Sequence, residues 1–363
     1  MYYVEEIEIE KAEALLEACG LSVPRGIDYT AGVFNDDGKL VATGSLKGDM
    51  IQGIAVDPDF QGEDLTAKIF THLIQTTTEE SLYLFTKPDK VQQFVGLGMR
   101  HVATARPYAA LLEWGKEGVK DFQGELKALV KEIEEAGFKT GEAGGNVAAL
   151  VMNCNPFTLG HRHLIEKAAS EADVVYVFVV EENASLFSFE DRLQMVQMGT
   201  ADLGNVLVLG GGRYMISEVT FPSYFTKEEN FAAAHAAMDA EIFASCIAPV
   251  LKANRRYVGT EPNSAVTAVY NEALKKRLPK AGVEVIEVPR LEDISASKVR
   301  GLLYKLLAKE FTEDGEYFID SNFDEICQDL MHLLPFTSLE YIMSPAMEAK
   351  LCRALNYGEA RWK

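Results

Sequence analysis

Beyond Gly145 the chain alternates short, almost wholly apolar runs with amphipathic stretches, and this alternation constrains its fold more than any other feature. Val147–Met152, Val174–Val180, Val206–Leu209, Tyr257–Gly259 and Val283–Val288 are expected as strands. His161–Glu171, Phe189–Ala201, Glu228–Cys246, Ser264–Leu278 and Ser295–Lys309 have helical spacing. Strands that are apolar along their whole length are buried on both faces, and alternation with helices implies right-handed crossovers onto a parallel sheet. A doubly wound α/β domain is therefore expected over 146–340, with a helical extension over 341–363.

Upstream the texture differs. Apolar runs at Thr30–Phe34 and Lys39–Gly44 flank Asn35-Asp36-Asp37-Gly38, the signature of a hairpin, and Leu65–Glu79 has helical spacing. Lys116–Lys139 is charged with helical periodicity, and three glycines fall within Gly141–Gly145. These features predict an α+β domain over 1–115 and a helical linker over 116–145. A chain of 363 residues suits two domains.

Ligands of an open parallel sheet sit outside the carboxyl ends of its strands, so the loop after the first strand of the second domain is the place to look. It reads Met152-Asn153-Cys154-Asn155-Pro156-Phe157-Thr158-Leu159-Gly160-His161. Gly160 permits close backbone approach, and the helix beginning at His161 offers unpaired N–H groups and a positive dipole end to phosphate. A histidine there can hydrogen-bond a phosphoryl oxygen as charge builds.

Two motifs carry a resemblance. Thr158-Leu159-Gly160-His161 and, later, Ile294-Ser295-Ala296-Ser297-Lys298-Val299-Arg300 resemble the (H/T)xGH and ISxSxxR motifs of the HxGH nucleotidyltransferases. Leu186–Arg192, Thr220–Phe225 and Gly259-Thr260-Glu261-Pro262 narrow the likeness to the citrate lyase ligases. This resemblance implies a Rossmann-like fold, ATP and Mg2+ as cofactors, and acetate as substrate. It implies acetyl-adenylate as intermediate and the thiol of a coenzyme-A-like prosthetic group, on the acyl carrier subunit of citrate lyase, as acceptor. His161, Thr158 and Arg300 are then the catalytic candidates. Met152, Asn153, Cys154, Gly160, Arg192, Gly259, Thr260, Glu261, Ser295, Ala296 and Ser297 are candidates for nucleotide binding, and no protein metal site is expected.

Two departures stand out. Thr158 replaces the first histidine of the motif, and the loop Glu181–Ser185 lacks the lysine that several relatives direct at the phosphates. Lys298, Arg213 and Lys227 are candidate substitutes. Ser295 also fits a simple helix cap, Arg192 a solvated charge, and His163 a packing role.

The first domain resembles the GNAT acetyltransferases at Ile54–Leu65 and Phe94–Arg100. Where an active member has a glycine-rich turn for pyrophosphate, Glu63 and Asp64 stand beside Gly62. Two carboxylates facing a pyrophosphate are unfavourable, so a docking domain for the carrier's arm, or a structural domain, is expected in place of a catalyst.

Composition sets the remaining bounds. Thirty-five basic against fifty-five acidic residues give a formal charge of −20, which disfavours nucleic acid and anionic membranes as partners. Five scattered cysteines without a CxxC pair read as reduced thiols. No stretch reads as long and apolar enough to span a bilayer and the N-terminus is acidic, so a cytoplasmic location is expected. Two rivals to the ligase remain. One is an adenylyl- or cytidylyltransferase making a dinucleotide-like product from a phosphate monoester; the other is an acyltransferase with a decayed nucleotide domain.

Overall fold

The computed structural model describes residues 1–141, 144–182, 185–215, 221–222, 224, 228–260, 265–291, 293–307 and 323–357. Glu261 and Lys227 lie outside the described residues, as do Thr220, Ser223 and Phe225. The chain divides into two compact units. The first comprises Met1–Ala128, Glu218–Ile247 and Val269–Ala281; the second comprises Leu129–Ser217, Ala248–Ala268 and Gly282–Lys363.

The first unit is built on a seven-stranded sheet of β1 (Tyr3–Glu6), β2 (Tyr29–Phe34), β3 (Leu40–Lys47), β4 (Met50–Val56), β5 (Ser81–Thr86), β6 (Arg100–Ala105) and β7 (Ala109–Gly115), in the order β1-β2-β3-β4-β5-β7-β6. Around it lie α1 (Glu13–Ala18), α2 (Leu65–Thr76), α3 (Val91–Gly96) and the start of α4 (Val119–Glu135). The Asn35–Gly38 turn joins β2 to β3 as the sequence predicts. Leu65, Ile69, Phe70 and Leu73 form the buried stripe of α2. The helix lies so close to β3 that a Cβ on Gly44 would stand 2.5 Å from Ile69 Cγ2, so only glycine fits there.

All neighbours in this sheet are antiparallel except β4 and β5. These two run parallel and pair only at Met50/Tyr83 and Ile51/Leu84 before parting. The α+β character expected from the GNAT resemblance is what the sheet has.

The second unit continues through β8 (Val147–Met152), α5 (Leu159–Glu171), β9 (Val174–Val179), α6 (Phe189–Gly199) and β10 (Val206–Gly210). Along the chain there follow α7 (Glu228–Ile242) and a π turn (Phe243–Ile247), which belong to the first unit, then α8 (Ala248–Leu251), β11 (Arg255–Gly259), α9 (Ala265–Arg277), most of it again in the first unit, and β12 (Glu284–Val288) and α10 (Ala296–Leu307) of the second. Three helices close the fold: α11 (Phe323–Leu333), α12 (Phe336–Ile342) and α13 (Pro345–Tyr357). The five strands are all parallel, in the order β10-β9-β8-β11-β12. All six residues of β9 are buried, the expected consequence of a strand covered on both faces. The order reverses between β8 and β11, so the carboxyl ends of these strands flank the switch point of the sheet.

Three expectations need revision. The linear division at 115, 145 and 340 differs from the observed units, because α7 and most of α9 sit within the span assigned to the second domain yet belong to the first unit. Residues beyond 340 are not an appendage, since Ile342, Met347 and Leu351 are buried in the second unit's core. Finally, the stretch Phe231–Leu251 does reach membrane-spanning length and apolarity; its apolar window is 67% buried within the protein, which marks it as a core helix.

Candidate active site

The loop after β8 turns back across the carboxyl edge of the sheet and enters α5 through Thr158, the helix cap. Thr158 and His161 close a reciprocal capping box: the Thr158 Oγ1 accepts the His161 backbone N–H, and His161 Nδ1 lies 3.0 Å from the Thr158 backbone nitrogen. A backbone N–H can only donate, so Nδ1 is an acceptor and the ring proton sits on Nε2. Nε2 has no partner among the described residues. Burial, with the positive charge of Arg290 nearby, lowers the His161 pKa to about 4, so the half-buried imidazole is neutral at physiological pH and presents an N–H donor. Thr158 therefore takes over an orienting function, fixing tautomer and ring direction.

Nothing in the described protein requires glycine at 160. A Cβ there would meet Ile294 and Thr158 at 3.5 and 3.6 Å, ordinary contacts. At Gly259, the last residue of β11, a Cβ would meet nothing within 4 Å. At both positions a side chain would find room among the described residues, so neither glycine is explained by packing there.

The second motif converges on the first. The hydroxyl of Ser295 accepts the Lys298 backbone N–H at 3.0 Å and caps α10, so the capping role is real. From the second turn of that helix, Arg300 donates to the Asn155 carbonyl at 2.6 Å and to Ser297 Oγ at 3.0 Å. Of its five N–H groups, three have no partner among the described residues. Ala296 and Ser297 open α10 beside it. Thr260 follows β11; its N–H donates to the Val288 carbonyl and its hydroxyl accepts the Arg290 N–H.

Three of the expected ligands act otherwise. Arg192 is fully buried, and its guanidinium donates to the carbonyls of Asn153, Val180, Glu182 and Phe187 and to Asn153 Oδ1. It pins the loops after β8 and β9 and is neither a solvated charge nor a phosphate ligand. Met152 and Cys154 point into the core. Burial pushes the Cys154 thiol up to about 12 despite Arg192 nearby, so it is no nucleophile, and both residues can meet a ligand only through backbone. Asn153 is exposed; its amide donates to Glu182 Oε1 at 2.7 Å.

Sequence reasoning missed Arg290 and Glu182. Arg290 donates from Nε and Nη2 to the Ile294 carbonyl, setting the approach to Ser295, and it supplies positive charge near His161. Its signal was a basic residue in the loop directly after the last parallel strand. Glu182 is buried, accepting from Asn153 and Ser185, and a glutamate in an acidic stretch gave no cue. Lys298 and Arg213 are exposed. His163 is half-buried.

In the first unit, the parting of β4 and β5 opens a cavity of about 860 Å³. Tyr224 closes its inner end: the hydroxyl donates to the Phe85 carbonyl on β5 at 3.2 Å and is hydrogen-bonded by the Gly53 backbone on β4. Lys87, Lys90, Thr66 and Gln93 also line the cavity.

The family model of the citrate lyase ligase C-terminal domain matches residues 147–314. A citrate (pro-3S)-lyase ligase from Klebsiella pneumoniae is 38% identical over 276 residues, 73% of this chain and 78% of that protein. Namesakes from Haemophilus influenzae and Escherichia coli K12 are 33% and 35% identical, covering 82% and 77% of this chain and 89% and 81% of their own. Among solved structures, Thermotoga maritima TmcAL bound with alpha-thio ATP aligns over 59% of this chain and 56% of its own at 12% identity, with a TM-score of 0.33. A glucosamine-6-phosphate N-acetyltransferase from Arabidopsis thaliana aligns over 28% of this chain and 92% of its own at 18% identity, with a TM-score of 0.23. These scores are too low to build on; the sequence relatives suffice, and the chain belongs to the citrate (pro-3S)-lyase ligase family.

Proposed function

We propose that this enzyme is an ATP-dependent acid–thiol ligase that activates acetate as acetyl-adenylate and passes the acetyl group to the prosthetic-group thiol of the citrate lyase acyl carrier subunit. The observation that carries the reading is the 2.6 Å bond from Arg300 to the Asn155 carbonyl. It joins the two motifs into one cradle at the switch point, where a triphosphate has helix N-termini, Arg300 and the neutral His161 donor around it.

In the first half-reaction a carboxylate oxygen attacks the α-phosphorus in line, and the bond to the pyrophosphate oxygen breaks with its electron pair. The protein's part is positioning and stabilisation of the charge that develops on the phosphoryl oxygens. On this reading His161 Nε2–H and the Arg300 N–H groups that have no partner among the described residues donate to those oxygens, while Thr158 orients the imidazole and Arg290 braces the Ile294 carbonyl ahead of Ser295. In the second half-reaction the carrier thiol attacks the acetyl carbonyl, AMP leaves, and the thiol proton is released. The cavity between β4 and β5 suits the carrier's long arm, and on this reading the protein works in the cytoplasm.

Magnesium would enter as part of the nucleotide complex. Among the described residues no group of three His, Cys, Asp or Glu side chains forms a metal site. Mg2+ commonly keeps its waters and substrate phosphates and needs few protein ligands. When bound with ATP it neutralises phosphate charge beyond what Arg300 supplies.

The test is acetate-dependent exchange of labelled pyrophosphate into ATP without carrier, with hydroxylamine trapping the mixed anhydride as a hydroxamate. Exchange that ignores short carboxylates but answers to a phosphate monoester would replace the ligase with a nucleotidyltransferase, and an acyltransferase would show none.

A further inference from the structure

The C-terminal helices α12 and α13 reach the active site through one buried carboxylate. Asp191, in the first turn of α6, accepts the Ser188 N–H at 3.1 Å and the Ser188 hydroxyl at 2.7 Å, closing a capping box at the helix start. Two further donors come from far along the chain. Tyr341 of α12 donates its hydroxyl to Asp191 Oδ1 at 3.0 Å, and Lys350 of α13 forms an ion pair with Oδ2 while also reaching Ser188 Oγ at 3.1 Å. Burial raises the Asp191 pKa, yet Lys350, Ser188 and Tyr341 together outweigh it and hold the carboxyl below its ordinary value. A buried carboxylate with four donors is locked, and so is the helix turn that carries it.

The next residue is Arg192, which grips the carbonyls of Asn153, Val180, Glu182 and Phe187. The path from the C-terminal helices to the phosphate loop is therefore short and continuous: Lys350 and Tyr341 to Asp191, the helix turn to Arg192, and Arg192 to Asn153. We infer that Lys350 and Tyr341 are positioning residues for the nucleotide site, acting through Asp191 and Arg192 on the loop after β8. The inference rests on the ligase reading only in that the site binds ATP. Lys350 is well suited to probing because its side chain is 47% exposed while Asp191's is 8% exposed. Removing the amine disturbs the lock without opening the core.

A double-mutant cycle on the full-length protein tests this, with acetate-dependent exchange and ATP·Mg2+ calorimetry read in parallel. Lys350→Met should lower kcat/KM for ATP and the ATP affinity about tenfold, with a cooperative thermal transition retained, and Lys350→Arg should restore most of both. In an Asp191→Asn background the same substitution should change either quantity less than twofold, because its route to the site has been cut. Unchanged ATP affinity and rate in Lys350→Met, or an equal loss in both backgrounds, would overturn the inference. Wild-type protein that binds ATP but shows no acetate-dependent exchange would sink the ligase reading alone, and the cycle would then be decided on affinity.

Discussion

The two units each present a strand, a turn and a helix N-terminus, and the chemistry they can support differs through a handful of side chains. In the second unit, β8 leads into α5, whose cap is Thr158 and whose first turn carries Gly160 and the neutral His161. In the first, β4 leads into α2 through Gly62, Glu63 and Asp64. Asp64 sits at the cap with a φ of 54° and no side-chain capping bond, and Tyr2 donates its hydroxyl to Glu63. Both helix starts have the amide donors and dipole that favour an anion. In α5 the adjoining side chains add donors; in α2 they add negative charge. A helix N-terminus is thus an indifferent scaffold, and on the proposed function it is local charge that makes α5 rather than α2 the place for a triphosphate.

The largest effect expected from breaking this contrast is at His161. His161→Ala removes the one ring donor and should slow acetate-dependent exchange about a hundredfold or more, the scale of losing a preorganised oxyanion donor, in a protein that still folds. Near-normal exchange would reduce His161 to a capping residue. Its titration provides a second check. The imidazole is pushed from 6.5 to about 4, so the unfolded chain takes up a proton between those values that the folded protein refuses. Stability from this group is complete above about pH 6.5 and is lost as pH falls toward 4. An NMR titration should find His161 neutral at pH 5.5, and a ring titrating near 6.5 would contradict the donor assignment.

Gly160 should give the next largest effect. The described residues leave room for a methyl group there, so Gly160→Ala should keep its thermal stability while raising KM for ATP roughly tenfold, because on the proposed function the new Cβ would stand in the path of a phosphate. A stability loss with unchanged KM would show that the glycine serves the fold.

How far the sequence disclosed all this depended on the range of the interactions. The alternation beyond Gly145 predicts all five parallel strands to within two residues, most cleanly β8 and β9, which are apolar throughout because both faces are covered. The two motifs single out His161 and Arg300 as candidates from neighbouring residues alone, and the structure brings the two motifs together through the bond from Arg300 to the Asn155 carbonyl. Arg192 was legible as important but not as buried: four carbonyl partners on separate loops leave no trace in the residues beside it. The same holds for Lys350, 159 residues from Asp191. The unit boundaries were hidden for a related reason. The apolar run of α7 reads as a core helix of whatever precedes and follows it, and its packing against β6 and β7 is a long-range fact. A cut near Gly141 would accordingly strip α7 of its packing partners.

The smallest expected effect would sharpen the comparison from the other side. If Glu63 and Asp64 are what distinguish the α2 cradle from that of α5, then Glu63→Gln with Asp64→Asn should improve binding of a pyrophosphate-bearing probe to the first unit. Coenzyme A is the suitable probe, since it joins a pyrophosphate to a slender chain and the cavity is lined by Lys87 and Lys90 as well as by apolar side chains. Exposed charges are screened by water, so the gain measured by calorimetry should be only about threefold to fivefold, and it should shrink as salt is raised. Acetyl-CoA should still not be turned over by the variant, because the Tyr224 hydroxyl continues to bridge Gly53 and Phe85 at the inner end of the cavity. Binding that is unchanged by the double substitution would mean that the two carboxylates point away from the phosphates. Acetyl transfer appearing in the variant, and persisting with His161→Ala added, would make the first unit a silenced catalyst and would place the difference between the two cradles in these two charges alone.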